Sequence, residues 1–288
     1  MKILFLSFSI ILLSLISSVY SSYPVAIFHG IGDSCSNRHS EILARFFTNN
    51  LGGAYAKCIE TGGGSLDWVT SFRSQAEKAC EDINNDANFA GDFSVVGISQ
   101  GSLIARYVIQ ACEMKGRVKR FISIGGPQMG VAKVPQCESG ITCAIVNKLV
   151  DAAVYSPYVQ NYIGPAGYFK DVHNYNTYLE SSTFLADINN ERHDKNQRYK
   201  NRFRMLERVV LIKFSQDTII IPRETAWFQF FDQNNNVVDL WNQPFYLEDF
   251  IGLRYLHEQN RISWVELRGN HLNFDNEDLY RYVLPALQ

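Results

Sequence analysis

The 288-residue chain has little charge, little proline and no long apolar stretch beyond its first residues. Charged side chains make up 19% of the sequence and the formal net charge is −2, which argues against an electrostatic nucleic-acid-binding surface. Only 8 prolines and 19 glycines accompany 46% hydrophobic residues, so collagen-like, low-complexity and disordered chains are excluded. The composition predicts a compact globular protein that binds no nucleic acid.

Two further absences concern glycans and metals. The sequence contains no Asn-x-Ser/Thr sequon, so we expect no N-linked glycan. None of its 6 cysteines is spaced as Cys-x-x-Cys, which argues against a zinc knuckle. We therefore expect neither a metal ion nor another cofactor.

The first 21 residues have the layout of a secretory signal peptide. Lys2 supplies the positive start, residues 3–16 form an apolar run interrupted only by serine, and small residues follow, with Val19 and Ser21 before the cleavage point. The alternative is a retained membrane anchor, but the run is shorter than the roughly 20 residues that span a bilayer. We predict cleavage after Ser21, leaving residues 22–288 in the secretory pathway without a transmembrane anchor.

The cysteines all follow this segment. An even number in an oxidising compartment favours three disulfides, and six cysteines allow fifteen pairings, so spacing alone does not choose among them. Two of them bracket a short loop and make an attractive local pair, Cys137 and Cys143. The others are Cys35, Cys58, Cys80 and Cys112.

Short apolar strands alternate with helical segments along the chain. Uniformly apolar strands separated by helices imply a mainly parallel sheet covered on both faces, which is an α/β architecture. Helices are predicted at residues 39–47, 66–84 and 103–114. Strands are predicted at residues 25–28, 54–59, 93–96, 118–124, 209–214 and 263–267.

A tyrosine-rich segment at residues 143–200 interrupts this alternation. It has helical spacing and no convincing strand. An insertion of this size usually caps the catalytic face or builds the substrate pocket, and we expect that here. The alternative is an ordinary helical layer on the surface.

The motif Gly97-x-Ser99-x-Gly101 follows a buried strand and precedes a helix. This is the context of a nucleophile elbow, in which a sharp turn lifts the serine hydroxyl above the sheet. Small residues two positions before and after the serine prevent clashes where strand and helix come close. The motif predicts that Ser99 is a catalytic nucleophile, and the alternative is a plain glycine turn.

A serine nucleophile needs a base, and the base needs an acid that orients it. In this topology they follow in the order Ser, Asp or Glu, His, on loops after strand ends. Asp217 follows the strand at residues 209–214, and His271 follows the strand at residues 263–267. Both positions lie beyond the carboxyl end of a strand, so we predict a Ser99, Asp217 and His271 triad.

The competing residues lack this placement. The rival acids lie in a polar, turn-rich region without a preceding buried strand: Asp232, Asp239 and Asp249. Among the other histidines, one precedes the serine in a glycine turn, and the rest have no strand-end placement: His29, His39, His173, His193 and His257.

Two backbone amides are predicted to form the oxyanion hole. One belongs to the residue after the nucleophile, Gln100, and the other to Ile31 in the loop after the first strand. Glycines on both sides of Ile31 allow that loop to turn its amide toward the site. The alternative is that the glycines only terminate the strand.

These residues, with others, resemble the palmitoyl-protein thioesterases of the lysosomal type. The matches run in order over nearly the whole chain after residue 23, where x marks a position that does not contribute: residues 24–35 (PVxIFHGIGDSC), 97–101 (GISQG), 123–130 (SIGGPQxG), 184–191 (FLADINNE), 210–217 (VxIKFxxD), 227–228 (WF) and 269–272 (GNHL). The resemblance implies an α/β-hydrolase fold, the same triad and oxyanion amides, and a lipid groove under the central insert. It also implies hydrolysis of S-linked fatty acyl groups from cysteines of proteins or peptides.

Two other functions stay open at this point. One is a secreted lipase or carboxylesterase of the same fold, because nothing in the triad selects a thioester over an oxyester. The other is a catalytically silent lipid-binding protein that retains the scaffold, against which the intact triad argues.

The resemblance also bears on disulfides and location. It supports Cys80–Cys112 and Cys137–Cys143, and the remaining pair would be Cys35–Cys58, since Ser36 stands where family members have a second adjacent cysteine. It implies delivery to the lysosome, with secretion as the alternative, because family members reach lysosomes through N-glycans and this chain has no sequon.

Overall fold

The structure is a computed structural model that describes residues 22–133 and 153–288. Its centre is a six-stranded, all-parallel sheet of β1 (Val25–Phe28), β2 (Ala56–Cys58), β3 (Asp92–Ile98), β4 (Arg117–Ile124), β5 (Arg208–Phe214) and β8 (Ile262–Leu267). The strand order is β2-β1-β3-β4-β5-β8. Each strand lies within two residues of its predicted ends. A separate antiparallel pair, β6 (Phe230–Phe231) and β7 (Val237–Val238), was not predicted.

Helices fill the connections between these strands. In the described parts of the chain the helices are α1 (Arg38–Asn50), α2 (Leu66–Val69), α3 (Phe72–Asn85), α4 (Gly101–Gln110), α5 (Pro157–Tyr162), α6 (Tyr175–Ser181), α7 (Leu185–Ile188), α8 (Gln197–Arg204), α9 (Pro244–Leu247), α10 (Leu253–Glu258), α11 (Asn276–Asp278) and α12 (Leu284–Leu287). Of these, α1, α3 and α4 are the longest, with 13, 14 and 10 residues.

Both faces of the sheet are covered. Successive side chains of a strand point to opposite faces, so β1 contributes Val25 and Ile27 to one core and Ala26 and Phe28 to the other. The first core also takes in α1 and the carboxyl-terminal helices, and the second takes in α3, α4 and α8. The chain therefore has an α/β-hydrolase architecture, as predicted.

The predicted helix at 66–84 is divided in two. The first part ends at Val69 with extended backbone at Thr70, and Ser71 caps the second part, because its hydroxyl oxygen accepts the backbone N–H of Ser74 at 3.1 Å. The side-chain amide of Gln75 donates to the carbonyl oxygen of Asp67 at 2.9 Å, which satisfies a group at the end of α2. The break turns α2 toward the loop after β1.

Residues 153–200 form short helices and turns that pack on α3 and α4. A 3₁₀ turn, Gly164–Tyr168, brings Tyr168 against Phe72 of α3, with ring centroids 5.0 Å apart. Phe184 lies on the other side of Phe72 at 4.6 Å. The beginning of the predicted insert and the predicted Cys137–Cys143 disulfide lie outside the described residues.

A fully buried arginine joins α4 to this layer. The guanidinium of Arg106 donates to the carbonyl oxygens of Gln128 and Ile188 at 2.6 and 3.1 Å, and to the side-chain oxygen of Asn189 at 3.0 Å. Burial lowers the pKa of Arg106 to about 9, so it remains charged at neutral pH. Its hydrogen bonds fix residues 188–189 against the helix that follows Ser99.

Among the described residues, two disulfides connect neighbouring elements. Cys35–Cys58 ties the loop after β1 to β2, and Cys80–Cys112 ties α3 to the chain just after α4. None of the helices within residues 22–133 and 153–288 combines the length and hydropathy that a bilayer-spanning segment needs.

Candidate active site

Three polar side chains meet at the carboxyl edge of the sheet. Ser99 follows β3, Asp217 follows β5 and His271 follows β8. The hydroxyl oxygen of Ser99 lies 2.9 Å from His271 Nε2, and His271 Nδ1 lies 2.6 Å from Asp217 Oδ2. Because the strands are parallel, their carboxyl ends share one edge, and residues far apart in sequence form one hydrogen-bonded chain.

The turn that carries Ser99 is strained and tightly packed. Ser99 has a φ of +52°, which non-glycine residues rarely adopt. A Cβ atom on Gly97 would lie 2.3 Å from Ser102 Cα, and one on Gly101 would lie 2.3 Å from the carbonyl oxygen of Phe28. Only glycine fits at these two positions, so the Gly-x-Ser-x-Gly spacing has a direct steric cause.

Hydrogen bonds define the orientation of the histidine. Asp217 accepts backbone N–H groups from Ile219 and Ile220 on Oδ1, both at 2.9 Å, which leaves Oδ2 for His271. Nδ1–H of His271 then donates to Asp217, and Nε2 remains free to accept the Ser99 hydroxyl proton. This is the tautomer that a general base in this position needs.

The loops that carry the acid and the base are joined by a residue that the sequence did not single out. The side-chain oxygen of Asn270 accepts the backbone N–H of Thr218 at 2.9 Å and that of His271 at 2.7 Å. In the sequence, the indication of this role was that Asn270 immediately precedes the predicted catalytic histidine, His271.

The two predicted oxyanion amides border the same cavity as Ser99 and His271. This cavity has a volume of about 240 Å³, and both Ile31 and Gln100 line it. Within residues 22–133 and 153–288, neither of their backbone N–H groups donates to a protein acceptor. The other lining side chains are largely apolar: Ile98, Pro127, Tyr168, Ile219, Ile220 and Leu272.

Comparison with known proteins fits this geometry. The profile of the family described as palmitoyl protein thioesterase matches residues 24–271. The chain belongs to this family. The resemblance seen in the sequence motifs is thereby confirmed.

Three relatives show how far the similarity extends. Palmitoyl-protein thioesterase 3 of Dictyostelium discoideum is 34% identical over 98% of this chain and 99% of its own length. Palmitoyl-protein thioesterase 1 of Caenorhabditis elegans is 32% identical over 91% of this chain and 90% of its own. The lysosomal thioesterase PPT2 of Mus musculus is 29% identical over 89% and 85%. Similarity therefore covers nearly the whole chain in each case.

A solved structure supports the fold independently of these motifs. A protein from Agrobacterium vitis S4 superposes with a TM-score of 0.52 over 92% of this chain and 88% of its own, at 13% identity. At that identity the comparison concerns the fold alone.

Two of the alternative candidates for the catalytic acid accept hydrogen bonds elsewhere in the structure. Asp232 accepts backbone N–H groups from Asn234 and Asn236 in a turn, and Asp249 accepts that of Arg254. Among the rival histidines, His173 contacts Asn235 and His257 contacts Tyr246. The structure brings none of these side chains into hydrogen-bond contact with Ser99 or with the ring of His271.

His29 differs from the other rivals, because it lies under the loop that carries Ile31. Its Nε2 is 2.8 Å from Glu60 Oε1, and its Nδ1 is 3.9 Å from Asp67 Oδ2. Neither acid was predicted from the sequence. Glu60 follows β2 at the same sheet edge, which was a usable signal, whereas nothing marked Asp67.

The side chains around His29 offer too few ligands to hold a metal ion. His29, Cys35 and Glu60 offer ligand atoms within 4.8 Å of one another. The sulfur of Cys35 is bonded to that of Cys58, so it is not a thiolate and two candidate ligands remain. We assign no metal to this cluster.

The steric role of the elbow glycines predicts a large effect of one methyl group. Gly101→Ala places a Cβ atom 2.3 Å from Phe28 O and 2.5 Å from His29 O, so strand and helix must separate. We expect a loss of stability of at least about 2 kcal/mol and a fall in esterase activity of about 100-fold. Urea unfolding and hydrolysis of an acyl ester would measure both.

Gly91→Ala is the matched control. A Cβ atom there meets nothing within 4 Å, so stability and activity should remain close to those of the parent protein. Equal effects of the two substitutions would contradict the steric explanation.

Proposed function

We propose that this protein hydrolyses long-chain fatty acyl thioesters on cysteines of proteins or peptides. The observation that carries the proposal is the Ser99–His271–Asp217 hydrogen-bonded chain opening into an apolar cavity, in a member of the palmitoyl protein thioesterase family. In this proposal Ser99 is the nucleophile, His271 the general base and Asp217 the group that orients it.

The first half of the reaction forms an acyl-enzyme. His271 Nε2 takes the Ser99 proton while the hydroxyl oxygen attacks the thioester carbonyl carbon, and the carbonyl oxygen becomes negative. The amides of Ile31 and Gln100 donate to that oxygen, and one such donor is typically worth about 3 kcal/mol of transition-state stabilisation. The carbon–sulfur bond then breaks and the cysteine sulfur takes the proton from His271. A cysteine thiol, with a pKa near 8.5, leaves readily.

The second half releases the fatty acid. His271 removes a proton from water, the hydroxide attacks the Ser99 ester, and the same two amides stabilise the second tetrahedral oxyanion. When the ester bond breaks, Ser99 regains its proton from His271. The enzyme returns to its starting state, and water is the only other reactant consumed.

Apolar contacts supply substrate binding in this proposal. Tyr168 enters the cavity from residues 153–200, and Ile219 and Ile220 enter from the loop that carries Asp217. Each CH₂ group buried there contributes about 0.8 kcal/mol, so a long acyl chain anchors the substrate without reading its peptide sequence. We propose that residues 153–200, the described part of the predicted insert, form one side of the lipid groove.

A cleaved signal peptide completes the proposal. Residues 1–21 have the required sequence pattern, and cleavage after Ser21 would deliver the domain at residues 22–288 to the secretory pathway. A relative described as a lysosomal thioesterase favours the lysosome as destination, with secretion as the alternative. Amino-terminal sequencing of the secreted chain should begin at Ser22, and a retained leader would contradict this.

The triad predicts the effects of two substitutions. Ser99→Ala removes the nucleophile and should abolish turnover while leaving the fold intact. Asp217→Asn presents an amide N–H to His271 Nδ1, which forces the proton onto Nε2, so kcat should fall by about 10³- to 10⁴-fold. Steady-state hydrolysis of a fatty acyl-cysteine peptide would measure both.

Asp249→Asn is the control for the acid, because Asp249 accepts the backbone N–H of Arg254 and lies outside the triad. Its kcat should remain near that of the parent. Full turnover by the Ser99→Ala protein would exclude Ser99 as the nucleophile.

The leaving group and the apolar cavity predict substrate preference. With matched acyl chains, kcat/KM for a cysteine thioester should exceed that for a serine oxyester by at least about tenfold. Within a thioester series, kcat/KM should rise by up to about fourfold for each added CH₂ until the groove is filled. A clear oxyester preference would favour a lipase or carboxylesterase, and no turnover of either ester would favour a lipid-binding protein.

A further inference from the structure

A buried histidine that the proposed reaction does not use lies at the base of the oxyanion loop. His29 directly follows β1 and is 1% exposed. Its Nδ1 is 2.9 Å from the carbonyl oxygen of Gly30, and its Nε2 is 2.8 Å from Glu60 Oε1. Both ring nitrogens of His29 therefore have hydrogen-bond partners, and the residue lies two positions before Ile31. This side chain can control the position of the loop that carries the Ile31 amide.

The hydrogen-bond partners determine the protonation state of His29. A carbonyl oxygen only accepts, so Nδ1 must carry a proton to bond Gly30. The Glu60 carboxylate already accepts backbone N–H groups from Cys35 at 2.9 Å and Thr61 at 3.2 Å, which is the behaviour of an ionised acid. Nε2 must then also donate. With an ionised Glu60, this set of acceptors around the ring favours the imidazolium form of His29.

Two carboxylates compensate this cation from different elements. Glu60 follows β2, and Asp67 lies in α2 with Oδ2 3.9 Å from His29 Nδ1. Asp67 is fully buried, and burial raises its pKa, an effect that the neighbouring His29 charge opposes. Partial burial also acts to raise the pKa of Glu60, but hydrogen bonds from Cys35 and His29 lower it. Tyr168 is the further titratable group affected by Asp67, since burial and then the Asp67 charge raise the pKa of the Tyr168 hydroxyl.

The same carboxylates hold the loop on the far side of Ile31. Asp67 Oδ2 accepts the backbone N–H of Gly32 at 3.0 Å, while Glu60 Oε2 accepts that of Cys35. The loop is thus fixed by His29 before Ile31 and by backbone bonds to the two acids after it. The loop also packs on the nucleophile, since a Cβ atom on Gly30 would lie 3.3 Å from Ser99 Cβ.

We propose that His29 is a positioning residue, whose imidazolium, held between Glu60 and Asp67, fixes the loop that presents the Ile31 amide to the reacting carbonyl oxygen. The inference rests on the proposed acyl-transfer function. If His29 loses its proton, one ring nitrogen becomes an acceptor facing an oxygen acceptor, and two carboxylates lose their common cation. The loop then shifts, and the Ile31 amide no longer matches the oxyanion.

This arrangement predicts how activity depends on pH. His271 must be neutral to take the Ser99 proton, which limits activity on the acid side. His29 must be protonated to hold the loop, so kcat falls on the alkaline side as His29 is deprotonated. The lost interaction acts on the transition state, so kcat should fall while KM changes little.

His29→Gln tests the proposal directly. Glutamine retains a donor for Glu60 but carries no charge. With a fatty acyl-cysteine peptide as substrate, we expect kcat to fall by about 30- to 100-fold, KM to stay within about threefold, and the alkaline limb attributed to His29 to disappear from the kcat–pH profile. His193→Gln is the control, since the His193 side chain is fully exposed, and it should leave the profile unchanged.

If the His29→Gln protein fails to fold, Glu60→Gln tests the same proposal with His29 still in place. It removes one partner of the cation, so the alkaline limb should move to lower pH. The double variant His29→Gln/Glu60→Gln restores charge balance between these two side chains, and it should recover part of the kcat lost in His29→Gln without regaining the alkaline limb.

The result that would overturn the proposal is a folded His29→Gln protein with parental kcat and an unchanged alkaline limb, or a Glu60→Gln protein with an unmoved limb. Hydrolysis of a 4-nitrophenyl acyl ester needs the same oxyanion hole, so the series is also measured on that substrate. Ester turnover without thioester turnover would refute the proposed substrate class and still test His29.

Discussion

The close contact between α4 and the end of β1 is the constraint on which the site depends. At Gly101 the backbone of α4 lies so close to Phe28 and His29 at the end of β1 that no side chain fits, and at Gly97 the end of β3 lies as close to Ser102 of α4. The serine between these glycines adopts a φ of +52°. This contact raises the Ser99 hydroxyl above the sheet edge. It also places the loop after β1 beside the nucleophile, so one packing event positions both the attacking oxygen and the amide of Ile31.

The buried charges of this protein hold segments in place around that contact. The Arg106 guanidinium joins α4 to residues 188–189, and the His29 cluster joins the loop after β1 to β2 and α2. Each charge has several hydrogen-bond partners or an opposite charge nearby, which offsets the cost of removing it from water. Because the partners come from different elements, the bonds fix how those elements lie relative to one another.

Much of the fold followed from local patterns. Apolar strands of four to seven residues with glycine turns predicted the sheet, and the residues after strand ends predicted the serine, acid and histidine that the structure places in contact. The break in the helix at Ser71 was missed, because the apolar spacing continues through it. The paired strands β6 and β7 were also missed, since two residues each give no usable periodicity.

The sequence by itself determined the parallel sheet, the elbow and the order of Ser99, Asp217 and His271, because periodicity, glycine spacing and strand ends are local properties of the chain. Only the tertiary structure decided that Glu60 and Asp67 surround His29 and that Asn270 joins the two loops of the site. Those contacts depend on how separate elements approach in space, and a carboxylate or an amide looks the same in sequence whether it faces water or a buried cation.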